Sequence, residues 1–153
     1  MNSLREMTQL DLEQVLQIEE HLFGQTAWSR KMYEDELSRL GQSRWYQVLE
    51  SNSQIIGYIG VAYVGEDADI QTIAITTESQ RKGYGEQLII TALNFLSKHG
   101  IKKVFLEVEV NNSPAISMYQ KLGFQNLTIR LNYYGPGKNA QTMVLDLKDD
   151  ADE

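Results

Sequence analysis

Seven stretches of the chain are rich in apolar residues that alternate with polar ones or run together between turn signals, which predicts strands. These stretches are residues 4–7, 45–49, 54–64, 69–75, 103–110, 124–131 and 142–147. Apolar residues recur at three- and four-residue intervals elsewhere, which predicts helices over residues 12–23, 30–40, 86–99 and 112–122. The order runs from antiparallel strands through one β-α-β crossover to a final hairpin. We therefore predict an α/β fold with a mixed central sheet of about seven strands and helices on both faces.

Serine and glycine residues mark points where this pattern changes. Ser29 precedes a helical stretch and is its predicted N-cap, and Gly41 ends the same stretch. Gly57 and Gly60 lie inside the strand predicted over residues 54–64. Because glycine weakens a strand interior, we expect a bulge or a close backbone approach there.

Length, charge and composition narrow the class of protein. The chain has 153 residues, a formal net charge of −7 and no cysteine. We expect one domain over residues 1–148 and a frayed acidic tail over 149–153. The negative charge argues against direct nucleic-acid binding. We also expect no membrane span and no secretory signal, and hence a cytoplasmic protein. His21 and His99 are isolated in the sequence, so no metal site is predicted.

A glycine-bearing loop between a strand and a helix is the first candidate site. Residues 69–75 form the predicted strand, a polar loop follows, and Gly83 and Gly85 precede the helix. Backbone N–H groups at a helix start, the helix dipole and the cations Arg81 and Lys82 all favour a phosphate group. Two glycines alone also fit an ordinary turn, and the Walker and dinucleotide signatures are not present. The loop is interpreted as a pyrophosphate site.

Two glutamates and a tyrosine are the second candidate. In the strand over residues 103–110, Glu107 and Glu109 occupy alternate positions and therefore share a face. Tyr119 follows in the next helix, and a strand–turn–helix return can bring it beside that face. A carboxylate and a phenol there could act as general base and general acid. Solvated glutamates and a core tyrosine would give the same spacing.

Longer motifs resemble those of one enzyme family. The string over residues 80–85, Gln-Arg-Lys-Gly-Tyr-Gly, resembles the acetyl-CoA loop of the GNAT (Gcn5-related) N-acetyltransferases. The second half of the family pattern is similar to the set Leu106, Glu107, Val108, Asn112, Ala115, Ile116, Tyr119, Leu122, Gly123 and Phe124. Trp28-Ser29 and the stretch over residues 130–134 resemble the RimI-like subfamily, the bacterial ribosomal-protein alanine N-acetyltransferases. The likeness spans roughly residues 7–147.

This resemblance implies a role for each matching residue. Glu107 would accept a proton and Tyr119 would donate one. Acetyl-CoA, the implied co-substrate, would be bound by Ile73, Ala74, Ile75, Arg81, Lys82, Gly83, Tyr84, Gly85, Glu86 and Asn112. The acceptor would lie against Trp28, Tyr33, Tyr133 and Tyr134. No metal is implied. Two departures stand out: Ala27 replaces a common proline before Trp28, and Glu109 leaves the choice of base open.

The implied activity is direct acetyl transfer to the N-terminal amine of a protein, with the N-terminal alanine of ribosomal protein bS18 as the family's acceptor. A peptide α-amine has a pKa of about 8 against about 10.4 for lysine, so more of it is free base near neutral pH. Three alternatives remain. They are a GNAT enzyme for a lysine side chain, polyamine or aminoglycoside, a non-catalytic acyl-CoA sensor, and a nucleotide-binding module. The oligomeric state is not predicted.

Overall fold

A computed structural model describes residues 2–147, so the expected acidic tail lies outside the described residues. The strands are β1 (Asn2–Glu6), β2 (Arg44–Ser51), β3 (Gln54–Val64), β4 (Asp67–Ile75), β5 (Lys103–Glu109), β6 (Gln125–Arg130) and β7 (Ala140–Asp146). The helices are α1 (Leu12–Phe23), α2 (Arg30–Leu37), α3 (Tyr84–Lys98) and α4 (Ser113–Lys121).

The strands form one seven-stranded mixed sheet in the order β1-β2-β3-β4-β5-β7-β6. β4 pairs in parallel with β5 through Asp67, Ala68 and Asp69. β7 lies between β5 and β6 and is antiparallel to both. The predicted α/β class and strand number are confirmed, and the final hairpin places β7 directly beside the strand that carries Glu107.

The start of α2 follows the predicted capping chemistry, but its end differs from the prediction, which placed it at Gly41. The Ser29 side chain accepts a hydrogen bond from the backbone N–H of Met32, which confirms the N-cap of α2. α2 ends at Leu37, three residues before the predicted end, because the Ser38 N–H closes the last helical turn onto Glu34 and the chain then turns. Side-chain capping thus determines where this helix begins, while a local turn ends it earlier than its apolar spacing predicts.

Two compact units make up the described chain, one of residues 2–62 and 71–92 and the other of residues 63–70 and 93–147. The core of the first unit consists of Met7, Leu12, Val15, Tyr33, Leu37, Tyr46, Val48, Ile55, Tyr58 and Ala74. The buried residues of the second include Leu96, Ile101, Val104, Leu106, Val108, Tyr119, Phe124, Ala140 and Met143. A single domain over residues 1–148 stays a prediction.

β3 contains the irregularity that its glycines predict. Leu49 pairs with Gly57, but Glu50 pairs with Ile55, so Ile56 is an extra residue on β3. A Cβ on Gly57 would lie 2.9 Å from the carbonyl oxygen of Ala74. Both expectations, a bulge and a close backbone approach, are therefore confirmed at this point. The bulge also brings the Ile56 carbonyl to the N–H of Thr76, 2.9 Å away, just after β4 ends.

Within residues 2–147, no helix is both long enough and apolar enough to cross a bilayer.

Candidate active site

The loop after β4 is ordered by its own side chains and leads directly into α3. Gln80 donates a hydrogen bond of 3.0 Å from its amide nitrogen to the carbonyl oxygen of Ile75. Arg81 has a positive φ of 65°, which costs free energy for a residue with a Cβ, and Gly83 has a φ of 85°. α3 begins one residue later. The loop therefore has a specific conformation that an extended linker would not adopt.

The residues of this loop fit a phosphate group. Arg81, Lys82 and Gly83 are exposed, and a Cβ on Gly83 would meet no atom within 4 Å. The first backbone hydrogen bond of α3 runs from the N–H of Gln87 to the carbonyl of Gly83. The backbone N–H groups of the residues just before Gln87 therefore lie at the N-terminus of the helix, ahead of this bond. A fifteen-residue helix adds partial positive charge at this end. An anion can thus approach two cations and several N–H groups.

In the second unit, Glu107 is held in place by β6 and by the loop after it. Its side chain is 18% exposed, and its Oε1 accepts a hydrogen bond of 3.0 Å from Nη1 of Arg130. The Tyr134 hydroxyl donates to the backbone carbonyl of the same residue over 3.1 Å. Glu107 is therefore partly buried, with its carboxylate bonded to a cation and its backbone carbonyl bonded to a phenol.

Tyr133 and Tyr134 lie beside this ion pair. The Arg130 guanidinium is 4.5 Å from the centroid of the Tyr133 ring, and the two tyrosine rings meet edge to face at 4.9 Å. Burial raises the pKa of the Tyr134 phenol well above its ordinary value. The structure thus brings Glu107 and the two predicted acceptor-wall tyrosines together.

Tyr119 is on α4, and Asn112 lies just before the first residue of the same helix. Tyr119 is 5% exposed and packs edge-on against Phe124, with ring centroids 5.8 Å apart. Burial raises the pKa of Tyr119 to about 12, so the phenol keeps its proton at neutral pH. Asn112 is the N-cap, and its Oδ1 accepts a hydrogen bond of 3.3 Å from the N–H of Ala115. Their predicted roles in proton donation and coenzyme A binding stay predictions.

In the first unit, Trp28 and Tyr33 meet a buried carboxylate. Glu19 is 2% exposed, and its Oε1 accepts hydrogen bonds from the hydroxyls of Tyr33 at 2.6 Å and Tyr58 at 2.8 Å. Its Oε2 accepts the backbone N–H of Trp28 at 2.9 Å. Tyr33 is itself fully buried and its ring lies 5.1 Å from that of Trp28. The predicted contact of Tyr33 with an acceptor remains a prediction, whereas the structure shows Tyr33 in the core.

Two residues of these surroundings have no functional role in the prediction from the sequence. Glu19 carries a signal that could have identified it, because it is a charged residue on the apolar stripe of α1. Arg130 is part of the stretch that resembles the RimI-like subfamily. It lies 23 positions after Glu107 in the sequence, so the contact between the two side chains depends on how the strands pair.

Within residues 2–147, no group of three or more His, Asp or Glu side chains is arranged to hold a metal ion.

Known proteins are similar to this chain in both sequence and fold. The family described as Acetyltransferase (GNAT) family matches residues 10–124. The ribosomal protein bS18-alanine N-acetyltransferase of Escherichia coli is 32% identical over 136 residues, 88% of each chain. The N-alpha-acetyltransferase RimI of Mycobacterium tuberculosis is 29% identical over 94% of this chain and 91% of its own. The crystal structure of the Escherichia coli S18-alanine enzyme superposes with a TM-score of 0.85 at 30% identity, covering 97% of this chain and 95% of that one.

These likenesses define the class of protein as an acyltransferase that modifies amines. The chain belongs to the GNAT family of acetyltransferases. It is an N-acetyltransferase, and the family uses acetyl-CoA as co-substrate. The resemblance noted in the sequence motifs is therefore confirmed at the level of family, fold and enzyme class.

Proposed function

We propose that this protein acetylates the N-terminal amine of another protein, and that its acceptor is the N-terminal alanine of ribosomal protein bS18. The observation that carries the proposal is the relative with that printed activity, 32% identical over 88% of the chain. A contact that supports the proposal is the hydrogen bond from Arg130 to the carboxylate of Glu107, the residue that the resemblance in the sequence motifs assigns as the base. A cytoplasmic location would follow from a ribosomal acceptor.

Glu107 is proposed as the general base. The neutral amine nitrogen forms a bond to the thioester carbonyl carbon, and its proton passes to the Glu107 carboxylate directly or through a water. The hydrogen bond from Arg130 supports this role because it fixes the carboxylate in one orientation. Backbone N–H groups among Ile73, Ala74 and Ile75 would stabilise the negative charge that develops on the carbonyl oxygen.

Tyr119 is proposed as the general acid. When the carbon–sulfur bond breaks, the phenol gives its proton to the leaving thiolate, and solvent later restores that proton. Burial raises the pKa of Tyr119 to about 12, so the phenol carries a proton near neutral pH, as a proton donor must. Transfer is direct and needs no acyl-enzyme intermediate, in keeping with a chain that has no cysteine.

The remaining residues are proposed to bind the two substrates. The pyrophosphate of acetyl-CoA would be bound by Arg81, Lys82, Gly83, Tyr84, Gly85 and Glu86, and its pantetheine arm by the backbone of residues 73–75, with Asn112 as a further contact. Trp28, Tyr133 and Tyr134 would contact the acceptor peptide. Tyr33 would support Trp28 from the core, since the two rings are in contact.

Two peptides test the acceptor. One has the N-terminal sequence of bS18 with a free alanine, and the other is the same peptide with a blocked N-terminus and an added lysine. Fragment mass spectrometry locates the acetyl group, and thiol release gives the rate. We expect acetylation of the free alanine alone. Modification confined to lysine would contradict the proposed acceptor, and acetyl-CoA binding without thiol release across a panel of amines would indicate a sensor.

A further inference from the structure

Asp69, the third residue of β4, lies on the same face of the sheet as the proposed base. It is paired with Phe105 where β4 and β5 run in parallel, and Glu107 follows Phe105 by two residues on β5. Residues that pair across strands share a face, and so do residues two apart on one strand. Since strands lie about 4.8 Å apart and rise about 3.3 Å per residue, the Cα atoms of Asp69 and Glu107 are about 8 Å apart.

The Asp69 carboxylate is exposed and has no hydrogen-bond or ion-pair partner among residues 2–147. Neighbouring atoms still remove part of its hydration. This burial raises the pKa of Asp69, and the charge of Asp67 raises it further. Both effects make the charged carboxylate less favourable here than in open water. A cation held beside Asp69 would offset both of them.

Two cations on this face are already engaged by other carboxylates. Nζ of Lys103 lies 2.6 Å from Oδ1 of Asp146. Nη1 of Arg130 lies 3.0 Å from Oε1 of Glu107. Each of these cations thus has its own partner, and a cation for Asp69 would come from a bound molecule.

Tyr133, which is proposed to contact the acceptor, is sensitive to both carboxylates. Burial raises the pKa of its phenol, and the charges of Glu107 and Asp69 raise it further, while Arg130 lowers it. Charges act over about 10 Å or less at ordinary ionic strength, so the phenol is near both carboxylates. An acceptor that reaches Glu107 along Tyr133 would therefore pass within reach of Asp69.

We propose that Asp69 is a specificity-determining residue, which selects acceptor chains that have an arginine or lysine at the second or third position. The inference rests on the proposed N-terminal acceptor. With the amine nitrogen at Glu107, an extended acceptor advances about 3.3–3.6 Å per residue, so its second and third side chains fall near Asp69. The guanidinium or ammonium donates hydrogen bonds to the carboxylate, and a glutamate at the same position is repelled.

The residue type also favours recognition over a structural role. Aspartate is depleted in strands, and here it is neither paired nor freely hydrated. Threonine or valine would suit the same position in β4 without a charge. A role confined to the fold would therefore not favour an aspartate at this point.

Peptides that differ in one charge test the inference. Each peptide begins with a free alanine, and the second residue is arginine, glutamine or glutamate in an otherwise uncharged sequence. A matching set varies the third residue instead. Thiol release with acetyl-CoA gives kcat/KM for each peptide. In at least one set, the wild type should prefer the arginine peptide to the glutamine peptide by about fivefold and use the glutamate peptide least.

Variants of two aspartates assign the preference to a side chain. Asp69→Asn should bring the ratio of kcat/KM for the arginine and glutamine peptides to about one, and Asp69→Lys should favour the glutamate peptide. Asp67→Asn, which removes a charge from the same face of β4, is the control and should keep the ratio within about twofold of the wild type. Because each ratio compares two peptides on one variant, a loss of folded protein cancels. The wild-type preference should shrink in about 0.5 M salt.

The outcomes separate this inference from the proposed function. Equal kcat/KM for all wild-type peptides, with acetylation of their alanine, overturns the role of Asp69 and leaves the proposed acceptor in place. A preference that persists in Asp69→Asn also overturns that role. Failure of the enzyme to acetylate any of the alanine peptides overturns the proposed acceptor and this inference with it.

Discussion

Glu107 and Glu109 show how a single contact distinguishes two similar side chains. Both project from the same face of β5, two residues apart. Glu107 lies opposite Thr142 and accepts a hydrogen bond from Arg130, whereas Glu109 lies opposite Ala140. A base must hold its carboxylate in a defined orientation, so the guanidinium contact favours Glu107 over its neighbour.

Glu107→Gln should lower kcat by about 100-fold or more, because the amide keeps the shape of the side chain but accepts no proton. The matched control is Glu109→Gln, which should stay within about threefold of the wild type. Thiol release with an amine acceptor gives kcat, and calorimetry gives the affinity for acetyl-CoA, which should not change in either variant. A larger loss in Glu109→Gln than in Glu107→Gln would reverse the assignment.

Tyr119→Phe should lower kcat by about 10-fold or more at neutral pH, since the leaving thiolate loses its proton donor. Because the pKa of Tyr119 is raised to about 12, the wild-type phenol stays protonated far above neutral pH. The ratio of wild-type to variant kcat should therefore stay constant from about pH 7 to about pH 10. The control is Tyr63→Phe, which removes a hydroxyl from a tyrosine of β3 whose ring packs against Phe95. A ratio that falls toward one as the pH approaches 10 would show that the phenol ionises too early for this role.

At the scale of elements, β3 supports the end of β4 through its bulge. The extra residue, Ile56, directs its carbonyl to Thr76, and Gly57 allows the backbone of β3 to approach Ala74. Period-two alternation predicted β3 over residues 54–64, as the structure has it. The two glycines predicted a bulge or a close backbone approach within this strand. Which residue is extra depends on pairing with β2, and pairing is not contained in the sequence of β3 alone.

Gly57→Ala should weaken acetyl-CoA binding, because its Cβ would lie 2.9 Å from the Ala74 carbonyl oxygen and displace the backbone over residues 73–75. Gly60→Ala is the control on the same strand, where a Cβ would run into the ring of Tyr46. Both variants should lose thermal stability, but the KM for acetyl-CoA should rise in Gly57→Ala alone. Equal KM values in the two variants would count against a role for the end of β4.

The connection between α1 and α2 is fixed by Glu19. This carboxylate accepts hydrogen bonds from the Trp28 backbone and from the hydroxyls of Tyr33 and Tyr58. Helical spacing placed Glu19 on the apolar stripe of α1, a position where a charge is costly unless it is satisfied. The hydrogen-bond donors that satisfy Glu19 come from other elements of the fold. Tertiary packing therefore allows a charged residue on this stripe, and the carboxylate holds the segment that contains Trp28 in place.

Glu19→Gln should lower the free energy of unfolding by about 2–4 kcal/mol, because an amide cannot accept all of these hydrogen bonds and its NH₂ group would face a donor. Glu20→Gln, exposed on the same helix, is the control. Urea denaturation measures the loss. If Trp28 contacts the acceptor, KM for the peptide should also rise in Glu19→Gln while the affinity for acetyl-CoA is kept. Unchanged stability would mean that the Glu19 contacts do not hold this segment.

At the scale of the whole molecule, buried phenols make the free energy of unfolding depend on pH in the alkaline range. Burial raises the pKa of Tyr33, Tyr46, Tyr58, Tyr119 and Tyr134 above the ordinary tyrosine value. In the unfolded chain these groups ionise near pH 10. Below that pH both states keep the protons and the stability is fully present; above it the unfolded chain loses protons that the folded chain retains, so folding is disfavoured.

The free energy of unfolding should therefore be insensitive to these tyrosines up to about pH 10 and then fall as pH rises. Urea midpoints measured across this range test the expectation, and phenolate absorbance should appear together with the loss of structure. Acetyl-CoA at about one hundred times its dissociation constant should add about 2.7 kcal/mol to the stability at neutral pH. Complete phenol titration in the folded protein near pH 10 would contradict the burial argument.

The sequence by itself determined the class of fold, the glycine loop, the face shared by Glu107 and Glu109 and the family, because periodicity, capping and motif spacing are local properties of the chain. The tertiary structure decided which of the two glutamates meets Arg130, how Glu19 is satisfied, and that Thr142 lies opposite Glu107 in the sheet. Those features depend on register between strands and on packing between elements far apart in the chain. Spacing along one segment carries no information about them.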